Sequence, residues 1–226
     1  MSALAAPAFE ADVAACGYAV LPGLIEPATC AALAAGYDDD ASYRKTIVME
    51  RHGYGRGAYR YFRYPLPPVV TELRASLYAR LVPTANAWNE RLGRAERFPA
   101  TLDAMLARCA AAGQTRPTPL VLRYATGDYN ALHQDTYGAI AFPLQATILL
   151  SDPRGGFTGG EFLLLEGRPR RQSVAHVVPL ALGDAVVFAN REKPNPRGGR
   201  STFRHGVGAV RSGVRLTLGL IFHDAE

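Results

Sequence analysis

Two metal-binding residue types stand two positions apart in RYATGDYNALHQDTYG, as His133 and Asp135. In an extended segment, residues i and i+2 project from one face, so an imidazole and a carboxylate aim at a common point. A second imidazole completes a facial set of three ligands and leaves the other coordination positions open to exchangeable molecules. His205, in STFRHGVGAV, stands 70 positions after Asp135 and just before the last apolar run, where a folded-back sheet brings it over the first pair. Arg215 follows ten positions later in VRLTLGLIF, sharing a strand face with Thr217. Leucines flank Arg215, and a buried guanidinium needs an anion; its fork fits a carboxylate through two parallel hydrogen bonds. The chemistry implied is a metal ion with open positions beside an anchor for the distal carboxylate of a dicarboxylic acid.

Those side chains need a rigid sheet to hold them. After AAGQTRPTP the chain changes to short β-rich runs, PLVLRYA, LQATILLS, GEFLLLE, VAHVVPL, AVVFA and RLTLGLIFH, set apart by glycine, proline and aspartate. The first third reads differently. GYAVLPG (17–23) is a short strand and turn, and Pro27 opens an alanine-rich helix that ends near Gly36. DDD and an irregular stretch follow. Val69, Leu73, Leu77 and Leu81 have helical spacing over 68–93, with Pro83 breaking or restarting the helix, and another helix covers 100–112. Helices first and strands later, without alternation, predict an α+β fold in which an N-terminal helical layer packs on an antiparallel sandwich or barrel. The whole chain, 1–226, is expected to form one domain, with the helical layer over roughly 1–115 and the β core over roughly 116–226.

Composition narrows the class. The 226 residues are 48% hydrophobic and 20% charged, which are globular proportions. No apolar run is long enough to span a bilayer and the N-terminal segment carries acids, so no membrane role and a cytoplasmic location are expected. Cys16, Cys30 and Cys109, odd in number and widely spaced among alanines, read as buried free thiols. The net charge is +5, and Arg168–Arg215 concentrates ten arginines and lysines against Asp184 and Glu192. Such a surface attracts nucleic acid, acidic proteins and small dicarboxylates alike. No pattern fixes an oligomeric state.

The run His-x-Asp, a long gap, His, and Arg ten residues on resembles the iron(II) and 2-oxoglutarate oxygenase superfamily over residues 119–223. Tyr124, nine residues before His133, matches a tyrosine that contacts 2-oxoglutarate in prolyl hydroxylases and in the bacterial alkylated-DNA repair dioxygenase. FTGGEFLLLE and LGDAVVF resemble the glycine-containing turns that enter later strands of that superfamily, and the His205 to Arg215 spacing is that of the prolyl hydroxylase-like enzymes. The whole chain, including HGYGRGAYRYF and AGQTRPTPLVLRY, is similar to a bacterial oxygenase family grouped with oxidative repair of alkylated nucleic acid. The resemblance implies a double-stranded β-helix (jelly-roll, cupin-like) core. It implies Fe(II) on His133, Asp135 and His205, with 2-oxoglutarate on Arg215, Thr217 and Tyr124. It also implies a dioxygenase that uses O2 to hydroxylate a substrate C–H bond with release of succinate and CO2. Retention of Asp135 argues against the related halogenases, which have a small residue there.

Three roles follow from the sequence: demethylation of an alkylated base, hydroxylation of a prolyl or other amino-acid side chain in a protein or small molecule, or a non-catalytic β-sandwich binding module. RHGYGRGAYRYFRYP (51–65) mixes four arginines with Tyr54, Tyr59, Tyr61, Phe62 and Tyr64, which suits either a base-stacking lid or packing of the helical layer. NREKPNPRGGRSTFR (190–204) is a second rim candidate. His52, His176 and His223 read as satisfied or solvent-facing. GGEF at 159–162 reads as a turn, with Phe162 and Leu164 on one face of the next strand.

Overall fold

The computed structural model describes residues 8–135, 137–195 and 198–226. Among these, every strand pairing is antiparallel. In chain order the strands are β1 (Tyr18–Leu21), β2 (Tyr43–Val48), β3 (Gly55–Arg56), β4 (Ala58–Phe62), β5 (Leu120–Tyr124), β6 (Tyr129–His133), β7 (Leu144–Leu149) and β8 (Phe157–Gly159). They continue as β9 (Phe162–Gly167), β10 (Val174–Val178), β11 (Ala185–Ala189), β12 (Glu192–Pro194), β13 (Arg200–Val207), β14 (Val210–Gly213) and β15 (Arg215–Ile221). One sheet runs β1-β11-β7-β15-β5-β4-β2 and the other β10-β9-β13-β6-β3, with β12 on β13; β14 and β8 form a separate ribbon. The two sheets pack face to face, as Phe162 of one meets Phe188 of the other with ring centroids 5.0 Å apart. This is the jelly-roll core expected.

Helices α1 (Glu10–Cys16), α2 (Pro27–Ala35), α3 (Pro68–Arg91) and α4 (Leu102–Ala111) buttress the larger sheet, and Val70, Leu77, Leu81 and Met105 join one apolar core with Val121, Leu218 and Phe222. The Thr101 hydroxyl caps α4 by accepting the Ala104 N–H at 3.3 Å. Pro83 does not interrupt α3. It lies on the exposed side together with Ala79, whose carbonyl loses its helical donor but faces water.

The helical layer is not purely helical, because residues 43–62 supply β2, β3 and β4 and extend both sheets. Their alternation is masked by arginine. Arg60 is buried, stacked over Tyr43 at 4.5 Å and paired with Asp40, so a charged residue occupies an inward position. Cys30 and Cys109 are buried free thiols, but Cys16 is exposed at the end of α1. No helix among the described residues is long and apolar enough to cross a membrane.

Candidate metal centre

Strand β6 ends on His133, and Asp135 lies just past it in an extended loop, not within the strand as its spacing implied. The two side chains still converge, because the loop is tied down on both sides. Buried Asn190, at the end of β11, accepts the Asp135 N–H at 2.9 Å and donates to the Asp135 carbonyl at 2.6 Å. Gln134 donates to the Phe203 carbonyl on β13 at 2.6 Å. His205 comes from β13 opposite His133, in register with it across the ladder. Candidate donor atoms of His133, Asp135 and His205 all lie within 4.8 Å of one another. Nε2 of His133 is 3.6 Å from Asp135 Oδ1, and Nε2 of His205 is 3.4 Å from Oδ2.

Such a set of two imidazoles and a carboxylate suits a divalent transition ion. His133 Nδ1 is 2.8 Å from the Ala131 carbonyl, which fixes that nitrogen as the protonated one and leaves the Nε2 lone pair for a metal. Burial lowers the His133 pKa further, keeping the ring neutral. Burial alone would raise the Asp135 carboxyl, yet the His205 hydrogen bond and the two imidazoles hold it below the usual carboxylate range. Tyr137 donates to Asp135 Oδ1 at 2.8 Å and receives the Tyr61 hydroxyl at 3.0 Å.

The same cavity, about 250 Å³, is also lined by Arg215, Thr217 and Tyr124. Arg215 and Thr217 project from the same face of β15, and Arg215 pairs in register with Tyr124 of β5. Arg215 is 2% exposed, and among the described residues no carboxylate pairs with it; its Nη1 has no hydrogen-bond partner. Desolvation lowers its pKa to about 10. The nearest aromatic face is Tyr124, with the guanidinium carbon 5.7 Å from its centroid. Burial pushes the Tyr124 hydroxyl up to about 12, with Arg215 opposing the shift. Gly160 does more than make a turn: at φ +64°, a Cβ there would sit 2.7 Å from Arg215 Cδ.

The pattern therefore brings together all six expected site residues. It misses Asn190, Tyr137, Gln134 and Gln145, whose buried Nε2 lacks a partner and which lines the same cavity. Asn190 and Gln145 reach the site from strands remote in sequence, and Gln134 and Tyr137, although beside the His133–Asp135 pair, are marked as partners only by contacts that the loop conformation creates. The stretch 51–65 divides: Tyr61 and Phe62 are core residues, Tyr59 lines the cavity, and Tyr54 is 51% exposed at its rim with its ring stacked on His52 at 5.3 Å. Of the loop 190–204, Pro196 and Arg197 lie outside the described residues. His223 is neither solvent-facing nor fully satisfied: Nδ1 accepts the Phe142 N–H at 3.1 Å, while Nε2 is buried without a partner.

A family model described as "Oxygenase, catalysing oxidative methylation of damaged DNA" matches residues 57–225. Two uncharacterised proteins from two strains of Mycobacterium tuberculosis are 50% identical over 173 residues, which is 75% of this chain and 74% of each of theirs. Among solved structures, a Pseudomonas putida prolyl-4-hydroxylase superposes with a TM-score of 0.53 at 16% identity, covering 96% of both chains. A Burkholderia pseudomallei oxidoreductase of the 2OG-Fe(II) oxygenase family gives 0.54 at 17% identity, covering 96% of this chain and 91% of that one. The chain belongs to the oxygenase family that its residues 57–225 match, and is an oxidoreductase.

Proposed function

We propose that His133, Asp135 and His205 hold Fe(II), that Arg215 with Thr217 and Tyr124 holds the far carboxylate of 2-oxoglutarate, and that the substrate is an alkylated nucleic-acid base. The observation that carries this is the buried Arg215 with an unpartnered Nη1 in the cavity that also holds the triad. A guanidinium so desolvated is stable only against an anion that arrives with the ligand. When bound, iron, O2 and 2-oxoglutarate together supply an oxidant for a C–H bond, with succinate and CO2 as the co-products.

The chain's residues do the rest. Tyr137 and Asn190 orient Asp135, and the Ala131 carbonyl sets the His133 tautomer. Leu122, Phe162, Phe188 and Val207 line the cavity and exclude water from the reacting atoms. Tyr54 offers an exposed ring at the rim, and its carbonyl accepts the Ala131 N–H at 2.9 Å, two residues before His133. A planar base stacked on that ring is held at a fixed distance from the metal ligands. Hydroxylation of an N-methyl group yields a hemiaminal that releases formaldehyde.

Damaged DNA in the description of the matching family supports a nucleic-acid substrate over a prolyl side chain. Intact ligand and anchor sets argue against a non-catalytic module. A single oxygenase domain and a cytoplasmic location, consistent with three free cysteines, complete the proposal. The test supplies Fe(II), 2-oxoglutarate and O2 with a methylated or an unmethylated oligonucleotide, or a proline-rich peptide, and measures succinate and formaldehyde. Formaldehyde should form, and succinate should rise above its substrate-free level, only with the methylated strand, and both should vanish in His205→Ala. Stimulation by the peptide alone moves the assignment to amino-acid hydroxylation, and full turnover in His205→Ala removes the metal assignment.

A further inference from the structure

A second cavity of about 630 Å³ lies apart from the metal site, among Glu166, Arg168, Arg171, His176, Lys193 and Ser201. Its position follows from strand register. Gly160 abuts Arg215, Leu164 pairs with His205, and Glu166 pairs with Phe203, so β9 runs from the anion anchor past the metal ligands to this cavity. Ser201 lies four residues before His205 on β13, about 13 Å along an extended strand. Buried Phe203 stands between the two cavities. Gln134 lines the first cavity, and its amide reaches the Phe203 and Arg191 carbonyls at 2.6 and 3.5 Å.

The second cavity is cationic beyond its own needs. Glu166 is its one acid; it accepts Arg168 at 2.6 Å, with His176 Nε2 4.0 Å away. Lys193, 4% exposed, donates to the Ala15 carbonyl at 2.7 Å, which leaves two of its three ammonium protons for other acceptors. Arg171 is exposed and pairs with no acid among the described residues. The Nε2 of His176 is buried without a hydrogen-bond partner, and its ring tilts against Tyr18 at 5.2 Å. One carboxylate thus faces three permanent cations and an unsatisfied imidazole nitrogen, which calls for a multivalent oxyanion acceptor.

We propose that this cavity is a phosphate subsite that takes a backbone phosphodiester of the nucleic-acid strand whose target base enters the metal cavity. The inference rests on the nucleic-acid reading above. A step of about 13 Å is the length of roughly four stacked nucleotides at about 3.4 Å each, so the phosphate engaged belongs to a near neighbour of the target. Arg171, at the cavity's edge, makes the contact most open to test.

The experiment is a fluorescence-anisotropy titration of a dye-labelled single-stranded oligodeoxynucleotide at several salt concentrations. It uses wild type, Arg171→Ala, Arg171→Glu and His176→Ala. Arg154→Ala serves as a control of equal charge loss, because Arg154 follows the Leu149 end of β7, which is the Arg215 end of the barrel, and its side chain is 85% exposed. Losing one phosphate contact on a single strand reduces the slope of log K against log salt by about 0.7, which is about fourfold weaker binding at 0.15 M salt. Arg171→Ala should show that change and Arg171→Glu about fifteenfold, with His176→Ala also weaker and Arg154→Ala unchanged. Succinate formation without oligonucleotide should match wild type in Arg171→Ala.

If wild type binds the strand and both Arg171 variants keep its affinity and slope, the subsite is overturned while the nucleic-acid reading stands. A wild type with no salt-dependent strand binding overturns the nucleic-acid reading itself. Binding of inorganic phosphate that Arg171→Ala abolishes, without strand binding, makes the cavity a free-phosphate site and overturns the proposal too.

Discussion

Replacing Arg215 by methionine should make the ligand-free protein more stable while it destroys 2-oxoglutarate binding. The guanidinium is 2% exposed and lacks an acidic partner, and its pKa is lowered from an ordinary 12.5 to about 10. At about 1.4 kcal/mol for each unit of pKa, keeping that charge buried costs the free protein about 3 kcal/mol. Part of this is offset by the Tyr124 ring, worth about 1 kcal/mol as a cation–π contact. Methionine fills much of the same space without charge. The net gain is then about 1–2 kcal/mol, which for a chain of this size raises Tm by about 2–8 °C. Scanning calorimetry of manganese-loaded protein, with and without 2-oxoglutarate under nitrogen, reads both halves at once. Wild type should gain stability with 2-oxoglutarate and the variant should not, although it starts higher. A variant that starts lower and still responds to 2-oxoglutarate would refute the idea that Arg215 waits uncompensated for this carboxylate.

Tyr137→Phe removes the hydrogen bond to Asp135 Oδ1 and should weaken manganese binding about tenfold, the usual scale for an outer-shell partner, as measured by electron paramagnetic resonance titration. Gly160→Ala puts a Cβ 2.7 Å from Arg215 Cδ on a left-handed backbone. It should cost about 1–2 kcal/mol of stability in denaturant melts and lower 2-oxoglutarate affinity without changing metal affinity. His223 is held neutral, its pKa lowered to about 4 by burial and by the Arg74 charge. Because the folded value lies below the unfolded value of about 6.5, the neutral ring's contribution is intact above pH 6.5 and is lost as pH falls toward 4. The loss reaches at most about 3 kcal/mol, and urea melts should show a flatter decline between those pH values in His223→Gln.

The grouping of the candidate site residues was legible in the sequence because it depends on local spacing. His133 and Asp135 are fixed by adjacency, and Arg215 and Thr217 by alternation on a single strand, so period-two geometry alone predicts that each pair acts together. The β-rich second half was legible from its short β-rich runs set apart by glycine, proline and aspartate, even though β7 and β11 are buried throughout and do not alternate. Strands β2 and β4 were not, because Arg60 occupies an inward position where only the Tyr43 ring and Asp40 make a charge tolerable. Likewise Pro83 could sit within α3 only because packing turned it outward. Only the tertiary structure decided how Asp135 is held, since Asn190 reaches it from a strand 55 positions away and a single sequence carries no trace of that pairing. The same holds for the second basic cavity. Its Arg168, His176 and Lys193 are scattered charges along the chain, and they become one site because β9, β10 and the β12–β13 pair carry them to one end of the barrel. Spacing fixes which side chains leave a strand together, but the loop closures and sheet order fixed by core burial decide which strands meet.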